Sequence, residues 1–106
     1  AIAYWDQKEV GLAVFYPCFS TFSARPGLYL EDLFVLPEYR NRHVGKALMS
    51  FLAQQAVNRG CSHLKFSVLH WNKKAIGFYQ GLGAVIEDEW LHYNIQGDQL
   101  HQLARD

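Results

Sequence analysis

Glu31 and Asp32 stand side by side inside an otherwise apolar run, Leu28-Tyr29-Leu30-Glu31-Asp32-Leu33-Phe34-Val35. Neighbours on a strand point to opposite faces, so one of the two is a candidate for the interior. A buried carboxylate is costly unless it is paired. An edge or surface position removes that cost. The alternative is chemistry: a carboxylate in such a place can bind a cationic amine or take its proton. Glu87, Glu89 and the neighbouring Trp90 could complete a cation site.

A second cluster is basic. Pro37-Glu38-Tyr39-Arg40-Asn41-Arg42-His43-Val44-Gly45-Lys46 joins an apolar strand-like run to a helical pattern. Amides at a helix start lack intrahelical partners, and the positive end of the helix dipole lies behind them. An anion binds there readily. Gly45 admits a ligand close to the backbone, and Arg40, Arg42 and Lys46 add charge, which suits a phosphate or pyrophosphate. The plainer reading is a solvated basic turn.

The third cluster is Trp71-Asn72-Lys73-Lys74-Ala75-Ile76-Gly77-Phe78-Tyr79-Gln80-Gly81-Leu82-Gly83-Ala84. Tyr79 falls on the apolar face of a short helix, where a phenol can deliver a proton in a confined pocket. It can equally be a core tyrosine whose hydroxyl meets a backbone carbonyl.

These clusters need a scaffold. Residues 1–5 and 10–16 read as a hairpin around Asp6-Gln7-Lys8, with Pro17 ending the second strand and residues 18–27 forming a loop. Residues 28–36 form a strand. Val44, Ala47, Leu48, Phe51, Leu52 and Ala56 recur at helical spacing, which predicts a helix over 44–59 stopped by Gly60. A strand over 63–69 follows, then a helix from the cap residue Asn72 to Leu82. Residues 84–86 and 90–95 are expected to pair as closing strands, and 97–104 to form a terminal helix. The order predicts an α/β (α+β) fold: a mixed, mostly antiparallel sheet with a central βαβ unit and helices packed on it, in a single domain over 1–106.

Composition sets the outer bounds. The 106 residues are half hydrophobic, with ten basic and ten acidic residues and a net charge of +0. Zero net charge argues against a general nucleic-acid binder. No apolar run is long enough to span a bilayer. Cys18 and Cys61 lack metal-type spacing and the five histidines are scattered, so no metal site is expected, and reduced thiols fit a cytoplasmic protein.

Taken together, the three clusters resemble the GNAT acyltransferase superfamily, and within it the spermidine/spermine (diamine) N-acetyltransferase branch. Arg40-Asn41-Arg42-His43-Val44-Gly45 matches the cofactor signature Arg/Gln-x-x-Gly-x-Gly/Ala, with His43 at a glycine position. Tyr29 to Asp32 match the branch's Tyr-Leu-Glu-Asp strand, and Trp71 to Ala84 its Trp-Asn-x-x-x-Ile-x-Phe-Tyr helix with the following Gly-Ala. The resemblance implies acetyl-CoA as cosubstrate and a small primary amine, of the polyamine, diamine or thialysine kind, as acceptor. It implies that Asn41 to Lys46, with Arg40, hold the pyrophosphate, and that Leu33, Phe34 and Val35 pair with the pantetheine arm. It implies that Asn72 and Phe78 line that arm, that Tyr79 is the general acid and Glu31 the base, and that Asp32, Glu87 and Glu89 attract the cation. Relatives begin with a further strand and two helices, which this sequence is expected to lack; the exposed edge then favours a homodimer, possibly an intertwined one. The alternatives are a CoA-binding or dimerisation module without turnover, and an interaction domain that binds no CoA.

Overall fold

A computed structural model describes residues 1–20, 24–87 and 91–106. Strands β1 (Ile2–Trp5), β2 (Lys8–Ser20), β3 (Arg25–Val35) and β4 (His63–Phe66) form one sheet in that order. The first two ladders are antiparallel and the third, β3 with β4, is parallel. Helix α1 (Val44–Asn58) makes the crossover between β3 and β4. Helices α2 (Lys73–Gly81) and α3 (Asp98–Arg105) follow. The mixed sheet with its βαβ unit is the architecture that the element order implies.

Burial explains why α1 lies where it does. Val44, Leu48, Leu52 and Ala56 recur every fourth residue and are buried, against Val10, Ala13, Leu28 and Leu30 of the sheet. A Cβ at Gly11 would come 3.1 Å from Leu48 Cδ1 and Val44 Cγ1, so the missing side chain lets the helix settle on β2. At its other end α1 closes with Gly60 at φ 74 and bonds from Cys61 N to Ala56 O and from Gly60 N to Val57 O. That is the Schellman closure expected of a glycine there.

Several boundaries differ from the sequence expectation: β2 begins at Lys8, inside the expected turn, and β3 at Arg25, inside the expected loop. Pro17 does not end β2, which continues to Ser20 with Pro17 opposite Leu28. The β1 ladder reaches only Leu12, so past that point β2 is an edge strand, where a missing N–H removes no ladder bond. The later strand stops at Phe66 instead of residue 69, while β3 runs on to Val35. Among the described residues, 31–35 therefore have no strand partner on the β4 side. Finally, the closing strands do not form: residues 84–87 and 91–96 lie outside any ladder. Leu91, Tyr93 and Ile95 are exposed. The radius of gyration is 16.8 Å, against about 13 Å for a compact chain of this length.

Leu52 is fully buried at the centre of the α1–sheet contact. Leu52→Ala is expected to lower unfolding free energy by about 2–5 kcal/mol, read as a fall in the urea midpoint.

Candidate functional site: a helix-start cradle facing a tyrosine

The turn from β3 into α1 is built on left-handed backbone. Asn41 has φ 64 and His43 has φ 65. Glycine takes that conformation at no steric cost, and asparagine and histidine tolerate it better than most. This is the physical reason that a glycine suits the position His43 occupies. Aromatic and backbone contacts hold the rest of the turn. Arg40 Nε donates to the Val35 carbonyl at 3.0 Å, and its guanidinium lies 5.7 Å from the Phe34 ring. Arg42 sits 5.5 Å from the Trp5 ring and 5.3 Å from that of Tyr39. Both cations are anchored by apolar stems and rings while remaining exposed.

The main chain at this point is open. The amide of Ala47 donates to the His43 carbonyl at 3.0 Å, and among the described residues no main-chain acceptor takes the amides of Asn41 to Lys46. His43 is the N-cap residue, yet its side chain makes no capping bond. Unfilled donors, the dipole of a 15-residue helix and the side chains of Arg40, Arg42 and Lys46 converge on one turn. That donor set fits a pyrophosphate.

Helix α2 docks against this turn. Asn72 caps it, its side-chain oxygen accepting from Ala75 N at 3.3 Å, as the sequence suggests. A Cβ built on Gly45 would meet Phe78 Cζ at 3.3 Å, so Phe78 rests on the first turn of α1. Tyr79, the next residue, packs at 4.3 Å between ring centroids on Phe66 and at 5.1 Å on Phe78. Burial pushes its phenol above the ordinary value, and the charge of Asp32 adds to the push. The group stays protonated at neutral pH and can act as a proton donor. A cavity of about 340 Å³ between α1 and α2 includes Lys46, Leu64, Phe66 and Tyr79 in its lining.

The carboxylates part company at a β-bulge. Val14 pairs with Asp32 but Phe15 pairs with Leu30, which leaves Glu31 without an opposite residue. Glu31 Oε2 accepts from the Tyr16 hydroxyl at 3.1 Å. Asp32 is instead the charge that Tyr79 feels. Both acids are exposed, so neither is the buried carboxylate that the apolar run suggests; the bulge turns them out of the core. Leu33 and Val35 pack on the core, and Phe34 lies outside beneath Arg40. Glu87 pairs with Lys65 at 3.5 Å, so its charge is shared with a cation of the chain itself. Glu89 and Trp90 fall outside the described residues. Among the described residues no group of three or more His, Cys, Asp or Glu is placed to hold a metal ion.

Residues 1–84 match the model of the acetyltransferase (GNAT) family. The chain belongs to that family. It is 40% identical over 98 residues to the thialysine N-epsilon-acetyltransferase of Mus musculus, covering 90% of this chain and 57% of that protein. It is 37% identical over 100 residues to an L-ornithine N5-acetyltransferase of Arabidopsis thaliana, covering 94% of this chain and 44% of the relative. The chain thus spans about half the length of these curated relatives. Among solved structures, an integron cassette protein from the mobile metagenome of V. cholerae superposes with a TM-score of 0.87 at 30% identity, over 99% of this chain and 65% of that one. An aminoglycoside N-acetyltransferase solved in complex with CoA superposes with a TM-score of 0.78 at 25% identity, over 91% of this chain and 74% of the other.

The structure places Phe78 against Gly45 and puts Tyr79 and Lys46 in the lining of one cavity. Sequence reasoning missed Tyr16, whose hydroxyl bonds Glu31, and Ser67, which bonds Tyr29; only the pairing of β2 with β3 brings Tyr16 to Glu31. His43 carries a testable strain. His43→Gly relieves a left-handed cost of about 1–2 kcal/mol, less the roughly 0.5–1 kcal/mol that glycine loses in the unfolded chain. A small net gain, near 0.5 kcal/mol, is expected in chemical denaturation of this GNAT domain.

Proposed function

We propose that this chain is a single acetyltransferase domain that moves the acetyl group of acetyl-CoA directly onto a small primary amine of the diamine, polyamine or thialysine kind. One observation carries the reading: the open amides at the start of α1 lie against the same short helix that presents a half-buried, protonated tyrosine. The curated relatives, named for thialysine and ornithine acetylation, point to the same acceptor class.

Acetyl-CoA supplies the activated acetyl thioester. The amides of Asn41 to Lys46, with Arg40, Arg42 and Lys46, hold its pyrophosphate. The free side of β3 at Leu33, Phe34 and Val35 offers main-chain partners to the extended arm, and Asn72 and Phe78 flank it. An alkyl ammonium cannot attack a thioester until it loses a proton. Glu31 accepts that proton, directly or through water, and Asp32 attracts the cation. Tyr79 donates its phenolic proton to the leaving thiolate. Its raised pKa keeps that proton in place until it is needed. Such a reaction requires no metal and no nucleic acid. Acetyl-CoA and the two free thiols, Cys18 and Cys61, suit a cytoplasmic setting. Among the described residues no helix is long and apolar enough to cross a membrane.

We also propose that the active form is a homodimer. Among the described residues the outer edge of β4 has no strand beside it, and Leu91, Tyr93 and Ile95 alternate with His92 and Asn94 as strand residues do, yet stand exposed outside any ladder. A second copy can supply what each lacks. Leu12, Val14 and Phe34 add exposed apolar surface on the sheet.

Incubation with acetyl-CoA and a panel of diamines, polyamines and thialysine is expected to release free thiol with at least one of them. Tyr79→Phe is expected to lower kcat about 100-fold and to leave the KM for acetyl-CoA within about twofold. Full turnover by that variant would remove the assigned proton donor. In light scattering the chain is expected at twice its 12.2 kDa mass. Leu91→Asp combined with Tyr93→Asp is expected to return it to monomer, and a monomeric wild type would sink the assembly.

A further inference from the structure

Glu31 has a second neighbour, Tyr16, that lies outside the signature segments. Tyr16 and Tyr29 face each other across the β2–β3 ladder, and their rings stack with centroids 5.4 Å apart and planes 24° apart. Each phenol is tied at its tip. Tyr16 donates to Glu31 Oε2 at 3.1 Å, and Tyr29 Oη lies 2.9 Å from Ser67 Oγ. The ring pair is thereby fixed between β2 and the end of β4, on exposed ground beside the carboxylate. Tyr16 is itself half-exposed, so a ligand can reach its face.

The chemistry of this corner is specific. Stacked phenol rings offer negative π-faces, and an alkyl ammonium is drawn to such a face when a carboxylate stands next to it. The bond from Tyr16 to Oε2 fixes the carboxylate's orientation and leaves Oε1 with no bond of its own among the described contacts. The bulge leaves Glu31 without a cross-strand partner, so its position depends on the side-chain tie. Lys65, register partner of Tyr29, is the cation that would compete for this corner, and it is drawn off by Glu87 at 3.5 Å.

We propose that Tyr16 and Tyr29 form an aromatic platform for the acceptor's ammonium-bearing chain, and that the Tyr16 hydroxyl is a positioning group for the Glu31 carboxylate. The proposal rests on the acetyltransferase reading for its rate effects but not for its binding effects. Tyr16 thus has two separable parts, a ring that binds and a hydroxyl that aims.

Two variants separate them. Direct calorimetry with 1,4-diaminobutane on the CoA-free chain reads the ring. Tyr16→Phe is expected to bind within about twofold of wild type, and Tyr16→Leu about three- to fivefold more weakly. Steady-state acetyl transfer reads the hydroxyl. Tyr16→Phe is expected to lower kcat about tenfold with little change in KM, and to lower it no further when combined with Glu31→Gln. Matching thermal melts would exclude a general loss of fold. Wild-type binding by Tyr16→Leu would overturn the platform. Additive losses in the double variant would overturn the positioning role. A chain that binds the diamine through Tyr16 but transfers no acetyl group keeps the platform and loses the enzymatic reading. Turnover unchanged by Tyr16→Phe keeps the enzymatic reading and overturns the positioning role.

Discussion

Everything at this site depends on a helix end that the protein leaves unfinished. A 15-residue helix normally finds some acceptor for its first amides, from a capping side chain or a neighbouring loop. Here the cap residue is His43, which offers none, and the turn before it curls away in left-handed steps. The donors stay open because the rest of the turn is pinned elsewhere. Arg40 is tied to the carbonyl of Val35 and Arg42 lies on Trp5 and Tyr39. The hairpin of β1 and β2 therefore serves the turn before α1 as well as the sheet, since it supplies the Trp5 ring on which Arg42 lies. Loosening that hairpin would let the turn relax onto its own helix.

The two carboxylates show how a single irregularity divides labour. In a regular strand Glu31 and Asp32 would face opposite sides of the sheet, one of them toward α1. The bulge opposite Val14 and Phe15 breaks that alternation. Both acids then reach solvent, but with different company: a tyrosine hydroxyl for Glu31, and the field at Tyr79 for Asp32. An acid held by a donor and an acid that raises a phenol's proton affinity are suited to different work. The same irregularity keeps two negative charges out of a core built from Leu28, Leu30, Leu48 and Leu52.

Much of this could be read from residue order alone, for a definite reason. The helix through Leu48 and Leu52 and the Asn72 cap are local patterns, and local physics decides them. The cradle was legible because a basic turn before a helix repeats in many anion sites. What could not be read depended on contacts distant in sequence. Pro17 looks like a strand end unless one knows that β1 stops short of it. Glu31 looks buried unless one knows the bulge. The stacking of Tyr16 on Tyr29 requires the register of β2 on β3, which no run of residues announces. The closing strands failed for a different reason: residues 91–95 carry the alternation of a strand, but a strand exists only where another backbone lies beside it.

Gly45 meets Phe78 on one flank and belongs to the open turn on the other. That clearance sets how closely α2 seats on the first turn of α1. A side chain there would press on the tip of the Phe78 ring. Because Phe78 in turn packs on Tyr79, one small clearance in α1 is felt at a phenol on another helix.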